Sequence, residues 1–459
     1  MTKVLLFVPG LLGSELSDGE GMVWPGSLLN GIVGFDEERF LRLLQPNLVV
    51  GEVIGKVGYV VDIYAQWLKA FSRLRDRKTR QAMFSARDNT LYTAPYDWRI
   101  DLTKSAEERL APRIRQIHTD WNGKAEIHIV AHSMGGLVTR YYLQSGKFAN
   151  EPGFAAIRSL TTFGTPHNGA PVALAGALGL HAADFLSADQ SKRLANDDRY
   201  LALYQTFPLQ HEPIIWKREV EGGLEPISLS DRAFAVNELK LNAATLDLAK
   251  AFRDAIDFAT KPIPAHIRTF LMIGSRFSTI THFVWNGGIV DKIETESAGD
   301  GTVSLQGAFL PGQQIQFTDK SHVSLIAAEE ARFAFQELFG ADGLLAAEDE
   351  RFDITVQDVV VPVQAPFEVL IQSSSPATTL QGELSWERAV QSPGKAELDE
   401  SDFKPFAPPP AKPIRYSGPP MGVTVLRLTA PAMTGIYRLV LKVAGQPDSK
   451  SMPFMVRPS

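Results

Sequence analysis

Ala131-His132-Ser133-Met134-Gly135-Gly136 follows the apolar run Ile127-His128-Ile129-Val130 and opens an apolar, helix-patterned stretch over residues 137–144. A serine on a sharp strand-to-helix turn has its hydroxyl pushed clear of the backbone, and only small neighbours allow so tight a turn. Ala131 and Gly135 stand two before and two after Ser133. This is the pattern of a nucleophile elbow with Ala at the first glycine position, and it predicts a serine hydrolase with Ser133 as nucleophile. The competing reading is an ordinary turn with a capping serine.

A hydroxyl attacks only once a base takes its proton and an acid orients that base, here in the chain order Ser, Asp or Glu, His. Ser297-Ala298-Gly299-Asp300-Gly301-Thr302-Val303 sets a carboxylate between two glycines, where backbone amides can approach and hold it ionised. Gln314-Ile315-Gln316-Phe317 reads as the last core strand, and Asp319-Lys320-Ser321-His322-Val323 follows it directly. Asp300 is therefore the expected acid and His322 the expected base. His132 is adjacent to the serine, where side chains on a turn diverge, and His282 precedes Asp300 and breaks the order. Asp291 and Asp319 lie in charged runs that read as solvated.

The tetrahedral intermediate needs preorganised N–H donors for its oxyanion. The Met134 amide is one. The other is expected in the Gly-rich turn Pro9-Gly10-Leu11-Leu12-Gly13-Ser14 after the buried strand Val4-Leu5-Leu6-Phe7-Val8, at Leu11. Lys3 before this run also fits a signal-peptide core, but Pro9-Gly10 interrupts it early and no cleavage site follows a long enough stretch.

Phe7-Val8-Pro9-Gly10-Leu11-Leu12-Gly13-Ser14-Glu15-Leu16, Val23-Trp24-Pro25, Pro95-Tyr96-Asp97-Trp98-Arg99, the elbow, Gly164-Thr165-Pro166-His167 and Gly299-Asp300-Gly301-Thr302-Val303 occur in one order. Over its first three quarters the chain resembles the lecithin:cholesterol acyltransferase family, which includes lysosomal phospholipase A2 and phospholipid:diacylglycerol acyltransferases. The resemblance implies an α/β-hydrolase, with Ser133, Asp300 and His322 as triad and Leu11 and Met134 as oxyanion amides. His132, His167, Trp24, Tyr96 and Asp97 are expected to line or support the site, with Asp97 and Arg99 as a buried pair. Two features depart from the family: there is no cysteine to close the lid disulfide of its secreted animal members, and the C-terminal quarter has no counterpart in it.

The elements that must position these residues are legible as periods. Four to five βα-like units between Val4 and Phe163 imply a mostly parallel, doubly wound sheet with helices on both faces. The expected organisation is a hydrolase core at 1–173 with a lid-like excursion at 19–46, a cap insertion at 174–264, a second core part at 265–346, and a β-sandwich accessory domain at 350–459. In the excursion, Val23, Trp24, Leu28, Leu29, Ile32, Val33 and Phe35 among glycines suit a mobile lid at a lipid interface. Ordinary packing would give the same pattern. In the cap, Leu241, Leu248, Phe252 and Ile256 have helical spacing, while Tyr200, Tyr204, Phe207, Pro208 and Trp216 suit an acyl groove or a small core. Beyond the charged stretch 347–351 the period drops to two, as in Tyr437, Leu439, Leu441 and Val443, and strands are expected there.

With 459 residues the chain is long enough for two or three domains and a full core. A net charge of −6 offers no bulk attraction to nucleic acid. The absence of cysteine excludes disulfides and thiolate metal sites, and no cofactor or metal is expected. No apolar stretch reaches the roughly 20 residues of a transmembrane helix, so a cytoplasmic location is expected. The partners expected are a lipid or other acyl-ester substrate and a membrane surface touched transiently through lid and cap. The sequence names no partner for the C-terminal domain. The reading is an acyl-ester hydrolase or O-acyltransferase acting on lipids, like a lipase or phospholipase. A serine amidase or carbohydrate esterase on the same fold, and a catalytically silent binding protein, are the alternatives.

Overall fold

The structure, a computed structural model, describes residues 1–25, 36–57, 61–62, 64–182, 186–209, 213–218, 223–342, 352–356, 360–390, 402–446, 448–451 and 453–458. Its centre is a sheet of six strands: β1 (Thr2–Val8), β2 (Leu91–Thr93), β3 (Ala125–His132), β4 (Ile157–Phe163), β5 (Arg268–Gly274) and β6 (Gln314–Thr318). All are parallel, in the order β6-β5-β4-β3-β1-β2. Parallel strands covered on both faces carry continuous apolar runs, and β1 shows why. Val4, Leu6 and Val8 join the core on one face, with helices α2 (Ala111–Asp120) and α3 (Gly135–Gln144), while Leu5 and Phe7 join the core on the other, with α1 (Ala65–Arg73) and α4 (Glu329–Phe339). Because every strand runs the same way, the loops after Val8, His132, Phe163, Gly274 and Thr318 all emerge at one edge. That edge is where open α/β sheets bind ligands.

Every residue of α3 is buried. A helix buried on all sides needs a second layer over it, and the helix Ala243–Ala255 of the cap supplies one: the rings of Tyr141 and Phe252 stack 5.7 Å apart. Leu241, Phe252 and Ile256 are buried as the helical spacing predicts, but Leu248 is 53% exposed, on the outer face of that helix. Tyr200, Tyr204 and Phe207 are buried, and Tyr204 and Phe207 belong to the cap's own core, so for these the packing reading holds.

Three expectations on organisation need correction. Val23 and Trp24 are fully buried, on a strand (Gly21–Trp24) paired with Ser14–Asp18, so they are packed residues and not the exposed surface of a lid; Leu28, Leu29, Ile32, Val33 and Phe35 lie outside the described residues. Residues 277–299, assigned to the core, form a hairpin (Phe277–Asn286 and Ile289–Gly299) that joins the cap strands Ile215–Arg218 and Leu224–Ile227 in one four-stranded sheet. This pairing connects segments some sixty residues apart, which no local period reports. The C-terminal strands also do not separate into two sheets: eight of them are hydrogen-bonded into one. Phe367 and Trp386 sit on the same strand, Pro366–Ala389, yet their rings are 5.9 Å apart, so the strand bends back and rolls the sheet around a core with Tyr437 and Phe454. The boundary stretch 347–351 lies outside the described residues. No helix among the described residues is long and apolar enough to cross a membrane.

Two predictions follow from the central sheet. A Cβ at Gly135 would lie 2.7 Å from the Val8 carbonyl oxygen and collide with that of Pro9, both backbone atoms of a central strand and its turn. Gly135→Ala should cost about 3 kcal/mol or prevent folding, read as the urea midpoint. His128 on β3 is buried with its Nδ1 2.8 Å from Ser159 Oγ, and burial pushes its imidazole down to about 3. The unfolded chain, titrating near 6.5, binds this proton first, so the stabilising contribution is complete above that pH and is lost as pH falls toward 3. Unfolding free energy should drop by about 2 kcal/mol from this group between pH 6.5 and 5, and His128→Leu should lose correspondingly less over the same interval.

Candidate active site

β3 passes into α3 through Ser133, whose φ of 52° lies in the left-handed region that non-glycine residues seldom occupy. Three close approaches hold it there. The Ser133 amide donates to the Phe163 carbonyl at 2.8 Å, Gly135 lies under the Val8–Pro9 carbonyls, and a Cβ at Gly136 would overlap Thr165. Gly10 lies against the elbow from the other side, where a Cβ would come within 2.8 Å of Ser133 Cβ. The loop after β1 and the serine turn are thus in contact because both lack side chains at the interface.

Asp300 and His322 are brought together as expected. His322 Nδ1 and Asp300 Oδ2 are 2.7 Å apart, and the other carboxylate oxygen accepts from the amides of Thr302 and Val303 at 3.0 and 2.7 Å. Asp300 is 2% exposed. Backbone amides donate only, so Oδ1 is the carboxylate oxygen held by backbone, leaving Oδ2 for the imidazole. The His322 amide returns a bond to the Asp300 carbonyl at 2.9 Å. Glycine makes the space: at Gly164 a Cβ would fall 2.7 Å from Asp300 Oδ2 and 2.8 Å from His322 Nδ1, and at Gly274 it would meet Asp300 Cβ at 2.5 Å.

The pair lies beside the elbow, with the rings of His322 and His132 4.7 Å apart between centroids. Among the described residues neither the Ser133 hydroxyl nor His322 Nε2 has a hydrogen-bond partner, and the amides of Leu11 and Met134 likewise donate to no protein acceptor. Loose nucleophile-to-base contacts are common without substrate. Of the rivals, Asp291 is exposed on the hairpin, and His282, half-buried on the same hairpin, has Thr281 Oγ1 2.9 Å from its Nδ1.

His132 is buried with Tyr64 Oη 2.8 Å from its Nδ1 and the His322 carbonyl 2.9 Å from its Nε2. Burial, and the neighbouring His322, hold its imidazole well below the ordinary range, so it is neutral. Tyr64 Oη also accepts from the Gly10 amide at 2.8 Å. Nothing in the spacing of the sequence marks Tyr64, which acts through a fold contact with two separate loops.

The remaining expected residues brace the site from behind. Trp24 donates its Nε1–H to the Leu12 carbonyl at 2.9 Å, and the Tyr96 amide donates to Ser14 Oγ at 3.1 Å, so both fix the loop after β1. Asp97 and Arg99 form the buried pair, joined at 2.9 and 2.6 Å, and the guanidinium continues to the carbonyls of Leu43 and Gln45 and to Tyr200 Oη in the cap. His167 is fully buried, and burial, followed by Arg140 and Arg253, keeps it neutral. Its carbonyl accepts from Arg140 at 2.9 Å and from Arg253 at 2.6 Å. These two buried arginines, which no motif or spacing in the sequence marks, join α3 to the cap: Arg140 reaches the Ile256 carbonyl as well.

Residues 63–259 match the lecithin:cholesterol acyltransferase family. The family implies an α/β-hydrolase and acyl transfer to or from lipid esters, in keeping with the six-stranded parallel sheet. No curated protein matches the chain. Among solved structures, the chain is similar to the soluble domain of PmoD from a Methylocystis species at 16% identity, covering 24% of this chain and 93% of that one with a TM-score of 0.17. It is similar to a lytic polysaccharide monooxygenase from Streptomyces lividans at 17% identity, covering 22% of this chain and 58% of that one with a TM-score of 0.16. The human F-spondin reeler domain gives 15% identity, 24% and 90% coverage and a TM-score of 0.16.

Removing one partner of a buried ion pair strands the other charge. Arg99→Met should therefore destabilise the chain by about 3 to 5 kcal/mol, measured by urea unfolding, whereas replacing the exposed Arg232, paired with Asp247 on the cap surface, should leave the urea midpoint essentially unchanged.

Proposed function

We propose, on the premise that the chain belongs to the lecithin:cholesterol acyltransferase family through residues 63–259, that it is a serine-dependent acyl-ester hydrolase or O-acyltransferase acting on lipids, as lipases and phospholipases do. The observation that carries the reading is the 2.7 Å contact of His322 Nδ1 with a carboxylate whose other oxygen is held by two amides, set beside a serine at φ 52°. A carboxylate so held keeps the Nδ1–H tautomer and leaves Nε2 free to act as base.

His322 Nε2 takes the Ser133 hydroxyl proton as Oγ bonds to the ester carbonyl carbon. The resulting oxyanion turns toward the amides of Leu11 and Met134, which donate to no acceptor among the described residues and therefore meet it without breaking a bond there. Collapse of the intermediate expels the alcohol, which receives the proton from His322. Water or a second alcohol then attacks acyl-Ser133 by the same path, releasing a fatty acid or a new ester and restoring the hydroxyl. Asp300 stabilises the imidazolium that forms twice per turnover.

A mostly apolar cavity of about 440 Å³ lies beside the segment that follows Asp300, lined by Pro171, Pro208, Ile214, Leu305, Phe309 and Phe317 together with the polar Asn168, Ser304 and Gln306, and offers room for an acyl chain outside the triad itself. Phe309 and Phe317 are 42% and 53% exposed, so two aromatic rings of this cavity also face solvent, in keeping with a substrate taken from a lipid surface.

Ser133→Ala should lower ester turnover by about 10⁴-fold or more while leaving the circular dichroism spectrum unchanged. Across a series of p-nitrophenyl esters from acetyl to palmitoyl, kcat/KM should rise with chain length. A preference for acetyl esters or for amides would contradict the lipid assignment, and full activity in Ser133→Ala would contradict the serine mechanism.

A further inference from the structure

The loop expected to hold the oxyanion and the loop carrying the base come from opposite sides of the serine, and a single file of hydrogen bonds joins them. The directions of these bonds are fixed by chemistry. The His322 carbonyl can only accept, so His132 Nε2 carries the proton. His132 is neutral, which makes Nδ1 the acceptor of the Tyr64 hydroxyl. The hydroxyl has given its proton and therefore accepts from the Gly10 amide. The file runs Gly10 N–H to Tyr64 Oη–H to His132 Nδ1, then His132 Nε2–H to the His322 carbonyl, with lengths of 2.8, 2.8 and 2.9 Å.

Resting on the proposed serine mechanism, we propose that Tyr64 and His132 are positioning residues, a neutral relay that sets the oxyanion loop and the His322 loop at a fixed separation across Ser133. The surroundings leave the relay little freedom. Tyr64 is 1% exposed, its ring meets Phe7 edge-on at 5.0 Å, and a Cβ at Gly13 would strike it at 2.8 Å. The His132 ring is covered by Trp67 at 5.0 Å, and Trp67 in turn donates its Nε1–H to the Val323 carbonyl at 3.3 Å. Trp67 of α1 directly, and Tyr64 before it through His132, thus hold the base loop at two consecutive carbonyls. The Gly10 amide at one end can only donate and the His322 carbonyl at the other can only accept, so the file does not reverse. Being uncharged, it stays in place while the His322 imidazole gains and loses its proton.

The test replaces Tyr64 by Phe, which keeps the ring and removes the hydroxyl that serves both loops. Per site titrated by a fluorophosphonate, Tyr64→Phe should lower kcat for a p-nitrophenyl ester about tenfold or more, as sub-ångström misplacement of reacting groups does, with KM within about twofold. An alkyl boronic acid, which mimics the tetrahedral adduct, should weaken by a similar factor. His132→Leu should match or exceed this loss, and His132→Gln, which keeps an N–H for the His322 carbonyl, should recover part of it. Unchanged kcat per titrated site in Tyr64→Phe overturns the relay, as does a loss explained wholly by fewer titratable sites. A wild-type chain that turns over no acyl ester overturns the serine mechanism, and the relay with it.

Discussion

The hydrogen bond between Asp300 and His322 joins parts of the chain that are held by different structures. Asp300 comes off the hairpin strand Ile289–Gly299, which belongs to the cap sheet, and His322 follows the edge strand β6 of the central sheet. Their meeting point is the space left by Gly164 and Gly274 at the ends of β4 and β5. A side chain at either position would occupy the place of the carboxylate or the imidazole. The site therefore depends on emptiness at two strand ends as much as on the two side chains that fill it, and on the cap being docked so that its hairpin delivers the acid.

Much of this was legible in the sequence, for a physical reason. The elbow, the turn after β1 and the loop around Asp300 each demand small residues at fixed offsets from a polar one, because backbone must approach backbone there. Ser133, Asp300 and His322 could be named from such offsets and from chain order, and the apolar run of β1 announced a strand buried on both faces. Tyr64, Arg140 and Arg253 could not. Each acts through contacts with carbonyls or loops distant in sequence, and a lone tyrosine or a helical arginine looks the same whether it faces solvent or closes a network. Leu248 shows the converse failure: its period was right and its environment was not, since the helix Ala243–Ala255 has only one face against α3.

The same limit explains the domain boundaries. Alternation identified strands in residues 352–457, but whether strands form two sheets or one rolled sheet is set by pairings between distant segments, and the bend within Pro366–Ala389 decided it. The hairpin at 277–299 was placed with the core because it lies between two core strands in sequence, while its hydrogen bonds go to the cap. For function the second case matters more, since it makes the cap a structural neighbour of the acid and not only a cover for substrate. Arg140, Arg253 and the Asp97–Arg99 pair tie the same cap to α3 and to the loops around the site.

A crystal structure of the chain reacted with an alkyl fluorophosphonate would show whether Ser133, Asp300 and His322 act as one unit with the amides of Leu11 and Met134. If they do, phosphorus is bonded to Ser133 Oγ, a phosphonyl oxygen lies within about 3 Å of both amides, and His322 remains bonded to Asp300. Phosphorus attached to any other residue, or an adduct at Ser133 whose oxygen faces away from Leu11 and Met134, would show that they do not.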